Sequence, residues 1–367
     1  MDVKSYDFFA EGKKDFYNKF THKSILCQGH HLEKTPLVTI IITTYKRPEL
    51  LRQAVESALN QKRFDDYQIL IIDNEGVPVE VETATAKVVK DYQDEKIIYY
   101  RHSKEVAFKS DYAIRLARSP WVVFLHDDDM LDENHLAIMT GIVKRNREIK
   151  FLGCNTKEYM SEHHIVKEQS KSTCRYHYVI TKLLKDATCF GNWTGWLGAL
   201  ISRRHYIAIG GMPVLQMGCG DKVMVCKFLH HYGTFICNTN RPLYYYRIGE
   251  QQSSYAQKEV WEQTLINEYC FEKYVINKYH RYTHKIWERN LAYCILQKCE
   301  FYNHERYHAQ INIDHVIDEC EIPADIRKKN FVHYAVRSIL GAYRKSILHL
   351  ANFYMQRLKK SDIRLEI

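Results

Sequence analysis

From about residue 36 onward the chain alternates two kinds of segment: short unbroken apolar runs, and stretches in which apolar positions recur every three or four residues. Leu37–Ile42 (LVTIII) is too short for a helix and reads as a strand buried on both faces. Pro48 then stands where a first helical turn tolerates it, and Leu50, Leu51, Ala54, Val55, Ala58 and Leu59 line one helix face. The same alternation predicts a strand over Ile69–Ile72 ending at Asp73, a helix over Val81–Tyr92 and a strand over Ile97–Tyr100. A helix near Tyr112–Ala117, a strand over Trp121–Leu125, a helix capped by Asp132 that runs to about Arg147, and a strand over Phe151–Cys154 follow. Thr156–Tyr178 is polar and carries no clear period. Beyond it, strands are expected over Leu197–Ser202, Phe235–Cys237 and Leu243–Arg247, with a helix opened by Asp221 and closing near His231. This order predicts an α/β fold, a mostly parallel sheet flanked by helices on both faces. Ligands of such sheets gather at the carboxyl ends of the strands, where Asp73 and the run His126-Asp127-Asp128-Asp129 fall.

The two ends of the chain read differently. Phe9, Phe16 and Phe20 fall at roughly helical spacing among lysines and acids, so 1–35 is expected to be an N-terminal helical extension of a domain over 36–254. Past Gln251 the strand signals stop, and 255–367 reads as a C-terminal helical region.

Composition narrows the class. With 367 residues, 46% of them apolar, the chain can bury a large core, and disorder is excluded for most of it. Only 15 glycines and 7 prolines argue against a turn-rich sandwich. The 11 cysteines include no CxxC pair and no compact zinc spacing, which reads as buried, reduced thiols of a cytoplasmic protein. No secretory signal is visible, and no apolar stretch approaches the about 20 residues that span a bilayer.

A formal net charge of +9 implies an anionic partner: nucleic acid, a membrane surface or a phosphorylated small molecule. Nucleic acid is disfavoured, because the bases are not concentrated with a reading motif. Near the carboxyl terminus Val336, Ile339, Leu340, Tyr343, Ile347, Leu350, Tyr354 and Leu358 form one helical face, with Arg337, Arg344, Lys345, Arg357, Lys359 and Lys360 beside it. That stripe suits either peripheral contact with the inner face of the plasma membrane or packing on the 36–254 domain or a second subunit.

The acidic run is the strongest chemical signal. Three carboxylates at a strand end repel one another unless a cation or strong donors offset the charge. One reading is a solvated turn that caps the next helix. The other is a site for a hard cation, Mg²⁺ or Mn²⁺, with coordination room left for substrate phosphates. The histidine pairs His30-His31, His163-His164 and His230-His231 make poor chelates, since adjacent residues diverge on helix or strand. A dinucleotide fingerprint and a GxSxG elbow are both absent.

VTIIITTYKRPELL (Val38–Leu51), IIDNEG (Ile71–Gly76) and WVVFLHDDDMLDENHL (Trp121–Leu136) stand in the order and spacing seen in family 2 glycosyltransferases. ALISRRHYIAIGGM (Ala199–Met212), GCGDKVMVCKFLHHYG (Gly218–Gly233) and PLYYYRIGEQQSS (Pro242–Ser254) are similar to the later segments of that family. The resemblance covers roughly Leu37–Ser254. It implies a GT-A fold, a nucleotide-diphosphate sugar donor (a UDP- or GDP-sugar), Mn²⁺ or Mg²⁺, and inversion at the anomeric carbon. Bacterial surface-polysaccharide synthesis, with a glycan or lipid-linked saccharide as acceptor, is the setting it suggests.

Carried over by position, the resemblance implies that Thr43 and Tyr45 lie along the nucleotide, Asp73 bonds the base, and Asp128 and Asp129 contact ribose and metal, with Asp127 a further metal candidate. Asp221 matches the acid of an E-D pair that serves as general base; its alternative is a helix cap. Arg247 is a candidate for the diphosphate, or an exposed strand-end arginine. Lys109 is a candidate near phosphate, and Asp111 lies where polar contacts to the nucleotide sugar are frequent. Trp193 and Trp196 are acceptor platforms or core tryptophans. This chain departs from the family at His126, where Asp is frequent; at Lys46, where Asn is frequent; and at Gly220, which stands in place of the Glu of the E-D pair. A sugar nucleotidyltransferase, or a noncatalytic glycan-binding protein on a decayed transferase fold, are the rival readings.

Overall fold

The computed structural model describes residues 3–160, 178–183, 195–215, 218–248, 261–279, 284–304 and 310–327. Its frame is a sheet of nine strands: β1 (Ile25–Gln28), β2 (Val38–Thr44), β3 (Tyr67–Asp73), β4 (Ile97–Arg101), β5 (Trp121–His126), β7 (Phe151–Cys154), β9 (Tyr178–Leu183), β10 (Leu200–Ser202) and β11 (Thr234–Thr239). They lie in the order β1-β4-β3-β2-β5-β10-β7-β11-β9. A second sheet joins β6 (Met130–Leu131), β12 (Tyr244–Ile248) and β8 (Thr156–Met160) in the order β6-β12-β8.

Every residue of β2 and β3 is buried, which is why both read as unbroken apolar runs. Alternate side chains serve opposite faces. Ile40 and Ile42 pack with Leu51, Ala54 and Val55 of α2 (Pro48–Leu59) and with Leu136 and Met139 of α5 (His135–Arg145). Ile41 packs on the other face with Tyr112 and Ala113 of α4 (Lys109–Leu116), Tyr206 of α6 (Arg203–Ala208), and Met224 and Phe228 of α7 (Gly220–His231).

The sheet is mixed rather than mostly parallel. β4-β3-β2-β5 are parallel neighbours and so are β7 and β11, but β1, β10 and β9 pair antiparallel with every neighbour they have. A strand buried on both faces shows the same apolar run whichever way it points, so the pattern carried no direction.

The N-terminal stretch also differs from the helical reading. It contains α1, only Lys13–Asn18, and β1, which extends the main sheet on β4. Its attachment is ionic as well as apolar. Lys19 Nζ donates to Asp111 Oδ2 and to the Gly210 carbonyl, each at 2.6 Å, and to the Met212 carbonyl. Lys227 Nζ donates to Glu11 Oε2 at 2.7 Å. The chain turns around Asp111 through Gly211 at φ +68°, where an added Cβ would stand 2.6 Å from Asp111 Oδ1.

On the carboxyl-terminal side, α8 (Trp261–Tyr279) and α9 (His284–His304) share an apolar cluster, to which Val316 of α10 (Ile313–Glu319) adds. They are tied to α7 by charge: Lys222 Nζ donates to Glu268 at 2.9 Å and to Glu272, while Lys298 reaches Glu268 at 2.8 Å. No helix among the described residues is long and apolar enough to cross a membrane. The basic stripe expected over 336–360 lies outside the described residues, as do His163-His164.

Candidate functional site

Strand register brings the candidate residues into a row. Thr43 pairs with His126 across β2 and β5, and Thr44 pairs with Asp73 across β2 and β3. Three parallel strands therefore end side by side, and the acidic turn follows directly from the last of them.

Strong donors hold that turn. The Tyr45 N–H donates to Asp127 Oδ2 at 3.2 Å. Arg47 Nη1 lies 3.3 Å from Asp127 Oδ1 and 3.0 Å from Asp128 Oδ2. Asp129 accepts from the Tyr244 hydroxyl at 2.6 Å and from the Arg247 N–H at 2.8 Å. Gly198, at φ +68°, makes room for Tyr244, since an added Cβ would stand 2.6 Å from that ring. Burial and the neighbouring Asp128 carboxylate push Asp129 up to about 8, against the pull of the Tyr244 and Arg247 hydrogen bonds. Burial likewise raises Asp127, with Asp128 adding to it and Arg47 opposing. Burial lowers the Lys109 ammonium, with Arg47 adding to the effect and the fields of Asp127 and Asp128 counteracting it.

The structure also draws a distinction that sequence did not. The ligand atoms of His126, Asp128 and Asp129 all lie within 4.8 Å of one another, a separation that one divalent ion can bridge. Asp127, expected among the metal ligands, is instead turned to Tyr45 and Arg47. His126 was visible in the sequence only as a departure from a carboxylate. Its imidazole stays below its ordinary pKa because its packed surroundings disfavour charge, with Lys109 and Arg47 adding to the effect and Asp128 opposing it.

The remaining expected residues fall in different places. Asp73 is 1% exposed, and its carboxylate accepts from Tyr99 Oη at 2.6 Å and from the Glu75 N–H at 2.9 Å. Arg101 Nε lies 3.5 Å from the same carboxylate, and Arg101 Nη2 is buried with no hydrogen-bond partner among the described residues. Sequence reading missed Arg101; the signal was an arginine closing the run Ile97–Arg101, where burial demands a partner. Tyr45 is exposed, donates to Glu105 at 2.9 Å and carries the Lys46 ammonium over its ring.

Arg247 is neither exposed nor aimed away from the turn. Its Nε donates to the Asp128 carbonyl at 2.8 Å, Nη2 donates to Gln53 at 2.6 Å, and the guanidinium lies 4.8 Å over the Tyr159 ring. It fixes the backbone of the acidic turn. Asp111 is fully buried in the Lys19 network, away from any ligand role.

Asp221 sits in the first turn of α7, one residue past the helix start, and Cys219 rather than Asp221 is the N-cap. Its Oδ1 accepts from the Lys222 N–H at 2.7 Å, and burial raises its pKa. No hydrogen bond or ion pair among the described residues links it to the acidic turn. Trp196 packs against Phe124 at a centroid separation of 4.5 Å and turns toward His126 edge to face at 5.7 Å. At 8% exposure it leaves little indole surface for a sugar ring to stack on. Trp193 lies outside the described residues.

Residues 39–206 match the family described as Glycosyl transferase family 2. An uncharacterized glycosyltransferase of Methanocaldococcus jannaschii is 26% identical over 160 residues, which is 40% of this chain and 53% of that protein. The chain thus spans about half the length of that curated relative. Residues 1–349 of TarS from S. aureus superpose with a TM-score of 0.52 at 12% identity, covering 79% of this chain and 82% of that one. The same TarS fragment in complex with UDP gives 0.50 at 10% identity, covering 82% and 87%. Apart from Val38, strands β2 to β5 and the acidic turn at their carboxyl edge all lie within residues 39–206, the part of the chain that matches glycosyl transferase family 2.

Proposed function

We propose that this protein is an inverting, metal-dependent glycosyltransferase that moves a sugar from a UDP- or GDP-sugar to a glycan or lipid-linked saccharide in surface-polysaccharide synthesis. The observation that carries the reading is the row Thr43–His126 and Thr44–Asp73 at three adjacent strand ends, with the acidic turn beside it. Thr43 and Tyr45 lie along the nucleotide in this reading, with Asp73 and Arg101 at its base. The imidazole and carboxylates of His126, Asp128 and Asp129 form a donor set that fits Mn²⁺ or Mg²⁺, and a divalent ion supplies positive charge against the departing diphosphate.

Lys109 and Arg47 add fixed positive charge next to that position. Arg247 keeps the turn in place. Asp221, as a carboxylate, takes the proton of the acceptor hydroxyl, and its raised pKa makes it a better base near neutral pH. The setting is the cytoplasmic face of the membrane, with the basic stripe over 336–360 as the membrane contact. UDP is the first nucleotide to test, because the TarS fragment was solved with it.

The experiment is a donor panel of UDP- and GDP-sugars with Mn²⁺ or Mg²⁺, read as nucleotide release. Metal-dependent hydrolysis of one donor supports the reading. Diphosphate release from a nucleoside triphosphate and a sugar phosphate, without glycoside, would overturn it in favour of nucleotidyl transfer. Absence of any metal-dependent nucleotide binding would favour a noncatalytic glycan binder.

A further inference from the structure

His126 closes β5 at the position opposite Thr43, with its side chain 37% exposed. Trp196 packs edge to face against the imidazole at 5.7 Å and fixes one side of the ring. Among the described residues no hydrogen bond occupies either ring nitrogen; the nearest charged atom is Asp129 Oδ2, 3.9 Å from Nδ1. That distance is too long for a hydrogen bond and suits two ligands of one ion. Asp128 uses Oδ2 toward Arg47, and among the described residues no hydrogen bond reaches its other carboxylate oxygen. Asp129 is oriented through both oxygens by Tyr244 and by the Arg247 backbone, and each of those oxygens keeps a second lone pair.

We propose that His126 is a direct ligand of the divalent ion, and that with Asp128 and Asp129 it makes an imidazole–dicarboxylate set that selects Mn²⁺ over Mg²⁺. The proposal rests on the metal-dependent reading above and adds the identity of a ligand and a preference. The physical reason is donor softness. Mg²⁺ favours oxygen donors and sheds water reluctantly, whereas first-row transition ions gain from an imidazole nitrogen. A neutral ring in place of a carboxylate also removes one negative charge, which weakens a hard, charge-driven ion more than one that gains from nitrogen ligation.

The test uses the full-length chain and Mn²⁺ alone. Titration by the loss of the free-ion electron paramagnetic resonance spectrum gives the affinity. Pulsed measurement on the bound ion then reads coupling to a ligated ¹⁴N nucleus. In the unsubstituted protein the nitrogen coupling is expected, and it should vanish in both His126→Ala and His126→Asp. His126→Ala should weaken Mn²⁺ at least about tenfold, the smallest effect seen when even a hydrogen-bond partner of a ligand is lost. His126→Asp should lower the Mn²⁺ to Mg²⁺ affinity ratio. Bound Mn²⁺ with no nitrogen coupling, or with affinity unchanged in His126→Ala, overturns the ligand role and leaves the metal-dependent reading standing. If Mn²⁺ does not bind at all, alone or with UDP or GDP, both fall.

Discussion

Replacing Lys19 with Met removes the ammonium from a carboxylate that is fully buried. Asp111 would keep the Tyr206 hydroxyl at 2.7 Å and the Met212 N–H at 3.3 Å, but it would lose the ammonium in direct contact with it. The Gly210 and Met212 carbonyls would lose their donor as well. Stranding one member of a buried pair costs about 3–5 kcal/mol, a third or more of the stability of a typical domain. Burial raises the Asp111 carboxyl in spite of the nearby ammonium, so desolvation exceeds what the pair returns. The double variant Lys19→Met, Asp111→Asn should therefore recover most of the loss, because a neutral amide still accepts from Tyr206 and Met212. Urea unfolding followed by tryptophan fluorescence, run as a double-mutant cycle, measures both steps. A loss under about 1 kcal/mol in the single variant, or a double variant as unstable as the sum of the singles, would refute the reasoning. The N-terminal stretch would then be an appendage and not part of the α/β fold.

Other substitutions probe the site. Asp221→Asn should cut sugar transfer by about 10²–10⁴-fold with donor affinity unchanged; near-normal turnover would remove Asp221 as the base. Because the Asp221 carboxyl is raised and acts in its charged form, turnover should be full above its pKa and fall as pH drops through it. A pH–rate profile should place that acidic limb above the ordinary carboxylate range; a limb at or below that range contradicts the assignment. Arg247→Lys loses the Nε bond to the Asp128 carbonyl and the Nη2 bond to Gln53, and metal-dependent nucleotide affinity should drop about 10–100-fold by calorimetry. Lys222→Met leaves Glu272 without its ammonium, while Glu268 keeps Lys298. Proteolytic release of the C-terminal helices should then accelerate, and an unchanged cleavage rate would mean that the ion network does not hold them.

Much of the frame was legible because burial on both faces leaves a one-dimensional trace. Parallel strands β2, β3 and β5 are apolar runs ended by polar residues, and the polar residues after them mark the ligand edge whatever the rest of the fold does. Asp73 and the acidic run were found by that rule. The helix face of α2 was visible for a similar reason, since Leu51, Ala54, Val55 and Ala58 repeat at 3.6-residue spacing.

The sequence by itself thus determined the strand ends, the acidic turn and the resemblance that spans them. Only the tertiary structure decided how these groups are used. Strand direction leaves no mark on a doubly buried strand, so β10, expected in a mostly parallel sheet, runs antiparallel to both of its neighbours. Charge pairing acts through space: Lys19 lies 92 residues from Asp111, and no local pattern announces that bond. The roles of Asp127, His126 and Arg247 depend on which oxygen or nitrogen faces which neighbour across distances of a few ångströms, and a linear order of residue types does not contain that information.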